Sequence, residues 1–103
     1  MNLFKDYQKK IFNFLKILSK KKIINLPMKL QGITVELPPK NQSADLSCNA
    51  AMILAKSNNS SPIKLADSLK KHLLLNFKEF ENIEIAGPGF LNIYFKKSFW
   101  NNY

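Results

Sequence analysis

The chain has 103 residues, the usual size of one domain, and its 46% hydrophobic and 12% aromatic content excludes a disordered protein. Sixteen basic residues, all lysine, against seven acidic ones give a net charge of +9. Such an excess favours a polyanionic partner, either nucleic acid or an anionic membrane surface, unless it serves solubility alone. Cys48 and His72 are single residues of their types, which excludes an internal disulfide and a Cys/His zinc site.

The first predicted element is a basic amphipathic helix from about Leu3 to Lys20. Apolar side chains recur there at steps of three and four residues, namely Leu3, Tyr7, Ile11, Phe14, Leu15 and Leu18. Residues 1–29 contain eight lysines and one acid, so this end carries about +7 of the charge. We expect the helix to pack on the domain with its lysines in solvent, available to phosphates. The alternative is a helix that lies on a membrane surface.

The sequence predicts neither a signal peptide nor a membrane-spanning helix. Asn13 and Lys16 interrupt the apolar run from Ile11 to Leu18, and no small-residue cleavage site follows. We therefore expect a cytoplasmic protein.

The next segment is predicted to form a strand and then a helix. Alternation from Gln31 to Leu37 indicates a half-buried strand with Ile33, Val35 and Leu37 facing inward, which Pro38 and Pro39 end. Asp45 is expected to cap a second helix that continues to about Lys56. Its apolar face would consist of Leu46, Ala50, Ile53 and Leu54, and Cys48 would be a small core residue within it.

A third helix and a β-hairpin are predicted to follow. Ser61 and Pro62 are typical of a helix start, and the apolar stripe would be Ile63, Ala66, Leu69, Leu73 and Phe77. Strands at Asn82–Ala86 and Phe90–Phe95 flank the turn Gly87-Pro88-Gly89, and the strand containing Ile33 would add to this hairpin. From Lys96 onward, Phe99, Trp100 and Tyr103 indicate the start of another element. The fold class predicted is α+β, a small antiparallel sheet of three to four strands with about three helices packed on one face.

No catalytic constellation can be found in the sequence. A nucleophile needs an oriented base, and His72 lies within a helix beside two lysines, which favours an exposed bystander. Glu79, Glu81 and Glu84 cluster near a helix end, but strand alternation separates Glu81 from Glu84, so a solvated rim is the better interpretation. We predict no catalytic residues in this chain.

The last strand has a second face that could bind RNA. If Leu91, Ile93 and Phe95 face the helices, then Phe90, Asn92 and Tyr94 face away from them. Aromatic rings on a solvated sheet face stack on unpaired bases, and an amide offers a donor and an acceptor to a base edge. The turn glycines also let a base or another backbone approach closely. The alternative is that a further helix beginning near Phe99 covers this face.

Three segments together resemble the N-terminal domain of arginyl-tRNA synthetases. They are Glu36-Leu37-Pro38-Pro39, then residues 44–56 reading ADLSCNAAMILAK, and residues 83–93 reading IEIAGPGFLNI. Pro62 opens a helix between the last two. The resemblance covers about residues 31–100 by motif and the whole chain by layout.

The resemblance implies that residues 1–103 form a single domain, an appendage of a longer enzyme. The HIGH-like and KMSK-like catalytic strings of that family and its helical anticodon-binding domain are absent from this sequence. The chain itself is therefore expected to use no cofactor, whereas the parent enzyme would use ATP. The expected partners are tRNA(Arg) and the remaining domains of the same synthetase, without a membrane or a metal.

The resemblance also implies a site. In this family the domain contacts the D-loop at the outer corner of the tRNA. The positions that match Phe90 and Asn92 act on a D-loop base, the ring by stacking and the amide by hydrogen bonding. Together with Tyr94 on the same face and Gly89 in the turn, they are the predicted RNA-binding residues. The alternatives are a structural docking domain with little direct RNA contact and a basic membrane-surface or interaction domain.

Overall fold

The computed structural model describes residues 2–101, and these contain a four-stranded antiparallel sheet. The strands are β1 (Val35–Glu36), β2 (Leu46–Cys48), β3 (Phe80–Ala86) and β4 (Phe90–Phe95). Their order in the sheet is β1-β2-β4-β3. The predicted β3–β4 hairpin is confirmed, although β3 begins two residues earlier than expected.

Four helices accompany the sheet in this part of the chain: α1 (Leu3–Lys20), α2 (Ala50–Leu54), α3 (Pro62–Asn76) and α4 (Lys97–Asn101). The predicted bounds of α1 are confirmed, and the side chain of Asn2 caps it by accepting a bond from the Lys5 amide at 3.1 Å. The predicted start of α3 is also confirmed, because Ser61 accepts a bond from the Lys64 amide at 3.2 Å. The α+β fold class is therefore confirmed.

The core lies between the sheet and the helices and is rich in aromatic rings at one end. The Tyr7 ring on α1 lies 5.8 Å from Phe80 and 5.0 Å from Phe95, measured between ring centroids. The Tyr7 hydroxyl donates a 2.6 Å hydrogen bond to the Glu79 carboxylate. Phe99 of α4 stacks on Phe95 at 4.1 Å. The element predicted after Lys96 thus joins the helix side of the sheet, while Tyr103 lies outside the described residues.

The prediction of one continuous helix from Asp45 to Lys56 is wrong. Residues Leu46–Cys48 form β2, the helix α2 spans only Ala50–Leu54, and a 3-10 turn follows at Lys56–Asn58. The Asp45 carboxylate caps no helix here. It accepts a 2.8 Å hydrogen bond from the Phe95 amide, which fastens the start of β2 to the end of β4.

The position of the Ile33 segment also differs from the prediction. β2 occupies the place beside β4, and β1 pairs with β2 instead of joining the hairpin. The strand is limited to Val35–Glu36. Ile33 and Val35 are buried as predicted, but Leu37 is 71% exposed because the ladder ends before it.

Two isoleucines predicted for apolar helix faces, Ile53 and Ile63, are exposed as well. Both helices bury smaller side chains at neighbouring positions, including Ala51 and Ala66. Close packing of α2 on α3 through small residues leaves the longer branched side chains at the edge of the contact.

Candidate nucleic-acid interface

The sheet face turned away from the helices carries a polar row across all four strands. Glu36 of β1 lies opposite Ser47 of β2, Ser47 opposite Asn92 of β4, and Asn92 opposite Glu84 of β3. Directly opposed Cβ atoms in an antiparallel pair are about 4.5–5.5 Å apart. The row therefore places carboxylate, hydroxyl and amide groups in line across the sheet, and it crosses β4, the strand that also carries Phe90.

The turn before β4 fixes where Phe90 lies. Gly87 has φ +54° and Gly89 has φ +133°, a region that favours glycine. A Cβ atom at Gly89 would lie 3.1 Å from the Cβ of Pro62 and 3.3 Å from its backbone carbonyl atoms. Only glycine therefore lets the turn close onto the start of α3. Gly89 is buried by this packing, and its contact with RNA stays a prediction.

The Phe90 side chain is 38% exposed and borders two cavities. The cavity towards the turn has a volume of about 190 Å³ and is lined by Pro39, Gln42, Ser47, Ala86, Gly87, Pro88, Phe90 and Asn92. The cavity towards β1 has a volume of about 290 Å³ and is lined by Thr34, Glu36, Leu37, Pro39, Ser47, Asn49 and Phe90. A half-exposed ring beside open apolar space can accept a flat aromatic group, such as a nucleobase.

Asn92 is only 3% exposed, unlike its neighbour on the strand. Its side-chain nitrogen donates to the side-chain oxygen of Gln42, which lies on the loop that leads into β2. Its Oδ1 atom is buried and accepts no hydrogen bond from the described residues. A buried acceptor without a donor costs about 1–3 kcal/mol, so a donor that entered the cavity beside Phe90 would be favoured at this atom.

Tyr94 lies on the same face and holds the surrounding groups in place. Its hydroxyl donates to the Glu84 carboxylate, and the Ser43 hydroxyl lies 3.3 Å from it. The hydrogen bond to Glu84 raises the pKa of Tyr94 above its usual value. Tyr94 thus connects the polar row to the loop that carries Gln42.

Phe90, Asn92 and Tyr94 lie on one face of β4, as the alternation predicted. Among the described residues no helix covers this face, since α4 packs on the opposite side through Phe99. Partial cover comes instead from the loop residues Gln42 and Ser43.

Sequence reasoning missed Gln42 and Ser47 as residues of this site. Ser47 was not predicted because its segment resembles a helix start. The signal that could have identified it is the alternation of apolar Ala44, Leu46 and Cys48 with polar neighbours, which is typical of a strand. Gln42 and Asn92 are 50 positions apart in the chain, so no local sequence pattern predicts their contact.

The other candidate chemical groups have structural roles. His72 is half-buried, with Nδ1 2.9 Å from the Ser68 carbonyl oxygen of the preceding helical turn. Glu79 does not belong to a solvated rim, because it accepts the Tyr7 hydrogen bond. Cys48 is fully buried, and burial raises the pKa of its thiol to about 11.

Residues 2–101 provide neither a metal site nor a membrane-spanning helix. No group of three or more His, Cys, Asp or Glu side chains is placed there to hold a metal ion. No helix in this range is long and apolar enough to cross a bilayer.

Comparison with known proteins identifies the family. A family model described as "Arginyl tRNA synthetase N terminal domain" matches residues 5–95. The arginine–tRNA ligase of Pelagibacter ubique is 42% identical over 103 residues, which is 100% of this chain and 18% of the relative. Those of Bartonella tribocorum and Wolbachia pipientis are 43% and 35% identical, over 99% and 98% of this chain and 17% of each relative. The chain thus spans less than a fifth of the length of these relatives, and it belongs to the family of arginyl-tRNA synthetase N-terminal domains.

Proposed function

We propose that this chain is the N-terminal appendage of an arginine–tRNA ligase and binds tRNA(Arg) through the sheet face around Phe90. The catalytic and anticodon-binding domains would lie outside residues 1–103, and ATP would serve those domains in a cytoplasmic enzyme. Support for the parent activity comes from the relatives, which are named arginine–tRNA ligases. Support for RNA binding comes from the site itself.

The observation that carries the proposal is the pairing of an exposed ring with an unsatisfied buried acceptor. Phe90 offers a stacking surface, and Asn92 Oδ1 lacks a donor within residues 2–101. Both residues line the same cavity of about 190 Å³. A nucleobase combines a flat π-face with polar edges, and one group of this kind would satisfy both features.

A loop base is the part of a tRNA that fits this cavity. Bases in helical stems are paired and stacked, whereas loop bases can be splayed out and inserted. We assign the contact to the D-loop, in which Phe90 would stack on a base and Asn92 would accept a hydrogen bond from its edge. Tyr94 would keep Glu84 and the Gln42 loop in position, and Gly89 would set the height of the ring above the turn.

The test uses the full-length protein that carries this chain, with Phe90→Ala and Asn92→Leu variants. Base stacking contributes about 1–3 kcal/mol, so Phe90→Ala should weaken tRNA(Arg) binding by about 5- to 150-fold. Asn92→Leu keeps a side chain of similar volume and should also weaken binding. Leu75→Ala removes an exposed apolar side chain from α3 and is the matched control. Unchanged tRNA affinity and arginylation efficiency in both site variants would exclude the proposal.

The same variants distinguish the docking alternative. If the Phe90 face packs on another domain of the enzyme, both substitutions should lower the thermal stability of the full-length protein and leave the Kd for tRNA unchanged. That result would replace the RNA-binding assignment with a structural one.

A further inference from the structure

Resting on the proposed function, we infer that α1 carries a second RNA-binding surface, which holds phosphate groups of the same tRNA that Phe90 contacts. A groove with a volume of about 410 Å³ runs along the solvent side of α1. We call it the α1 groove, and it is lined by Lys5, Gln8, Lys9, Phe12, Asn13 and Lys16.

The three lysines of the α1 groove are exposed and lack a carboxylate partner among the described residues. By contrast, Lys71 on α3 forms an ion pair with Asp67. Lys10 differs from them, because its ammonium group lies 4.7 Å above the Tyr7 ring. Three ammonium groups along one side of a helix, with a hydrogen-bonding amide between them, suit a row of phosphates.

No lysine lines either of the two cavities beside Phe90. Glu84 belongs to its polar row, and the adjoining cavity is lined by Glu81, Glu84 and a single lysine, Lys97. Carboxylates repel phosphate groups, so a polyanion held at Phe90 needs its neutralising cations elsewhere. The N-terminal 29 residues carry eight of the sixteen lysines, and the α1 groove presents three of these on one surface.

Strand β1 lies between the α1 groove and the Phe90 site. Gln8, which lines the groove, accepts a hydrogen bond from the Val35 amide of β1 at 3.4 Å. Glu36 of the same strand lines the cavity beside Phe90. The two surfaces are separated by the steps from β1 to β2 and from β2 to β4 and by one layer of packing. Together these give a distance of roughly 15–20 Å. This separation is well below one turn of a double helix, about 34 Å, so one tRNA can reach both surfaces around the β1 edge.

The experiment compares two triple variants of the full-length protein at increasing salt concentration. One carries Lys5→Gln, Lys9→Gln and Lys16→Gln; the matched control carries Lys56→Gln, Lys71→Gln and Lys78→Gln, which are exposed positions outside α1. Each triple removes the same charge. Three lost phosphate contacts should reduce the slope of log affinity against log salt by about 2 to 3. Between 50 and 200 mM salt, the affinity of the α1 variant should therefore fall about 15- to 60-fold less than that of the unmodified protein.

The readouts separate this inference from the proposed function. Phe90→Ala should weaken binding without changing the salt slope. If Phe90→Ala weakens tRNA binding but the α1 triple variant keeps the salt slope of the unmodified protein, the base site is supported and the phosphate surface is ruled out. An equal slope change in both triples would also overturn it, because bulk charge would then explain the effect. So would a loss of binding to phosphatidylglycerol vesicles in the α1 triple at an unchanged RNA slope, which would assign the groove to a membrane.

Discussion

Asn92 departs from the rule that buried polar side chains are hydrogen-bonded, which the other described side chains obey. Its Oδ1 is buried with no donor among residues 2–101, whereas a leucine of similar size would leave no polar atom unpaired at this position. The neighbouring inward residues Leu91 and Ile93 are fully buried and apolar, as expected for a strand against helices. A buried amide that costs stability is expected where function requires it, and this residue is therefore the strongest single indication of a binding site.

The two turn glycines should respond differently to substitution by alanine. At Gly89 the added Cβ would lie 3.1 Å from Pro62, and the φ of +133° is strained for any L-residue, so Gly89→Ala should destabilise the fold by about 2–3 kcal/mol. Gly87 has φ +54° and its nearest neighbour, Phe90 Cδ2, is 3.9 Å away, so Gly87→Ala should cost about 1 kcal/mol. Urea unfolding of the two variants measures the difference. An equal loss of unfolding free energy in the two variants would show that the turn does not pack tightly against α3.

At the level of elements, long periodic segments were predictable from the sequence and short ones were not. Apolar residues recur on one side of α1 throughout its 18 residues, so only one face of the helix can pack on the core. β4 is a six-residue strand, and successive residues of a strand point to opposite faces of the sheet, so the shared face of Phe90, Asn92 and Tyr94 was predictable, whereas the burial of Asn92 was not.

The β2 segment shows why the rest was not predictable. It has three residues, and an acid before an alanine-rich run is also typical of a helix start. Its strand character is fixed by pairing with β4, more than 40 residues away in the chain. The Gln42 and Ser47 parts of the candidate site depend on that pairing, and local pattern alone could not supply them.

The Asp45 contact gives a test of this long-range assignment. Asp45→Ala should remove the acceptor of the Phe95 amide and destabilise the fold by about 1–3 kcal/mol, since a bond to a carboxylate is stronger than a neutral one. Hydrogen exchange should accelerate first at the Phe95 amide and at the β2–β4 pairs. Asp67→Ala, an exposed acid on α3, is the control and should leave these amides protected. Faster exchange confined to α2 would instead restore the helix-cap role.

At the scale of the whole molecule, the two proposed RNA contacts lie on opposite sides of the sheet. The helix layer carries the unpaired lysines of α1, and the opposite sheet face carries a polar row with two carboxylates beside a ring. Charge attraction is independent of sequence and sensitive to salt, whereas base contacts are sensitive to sequence. In the proposed complex, a small domain with a net charge of +9 would contact one tRNA base without placing that charge over the base.

The buried thiol of Cys48 reports on the stability of the whole fold. It lies in β2 between β1 and β4 and is 0% exposed, so thiol reagents should reach it only when the sheet opens. Burial raises its pKa from 9.0 to about 11. Because the folded pKa is the higher one, this stabilising contribution is complete below about pH 9 and is lost as the pH rises through about 11.

We therefore expect the free energy of unfolding of the unmodified chain to fall more steeply at alkaline pH than that of Cys48→Ala. The variant removes buried volume and should be less stable at about pH 8, but it has no thiol to ionise, so the gap should narrow by up to about 2–3 kcal/mol near pH 11. All other groups are common to both proteins, so their effects cancel in the comparison. Urea unfolding at both pH values provides the measurement, and parallel pH profiles would show that the sheet centre admits water around Cys48.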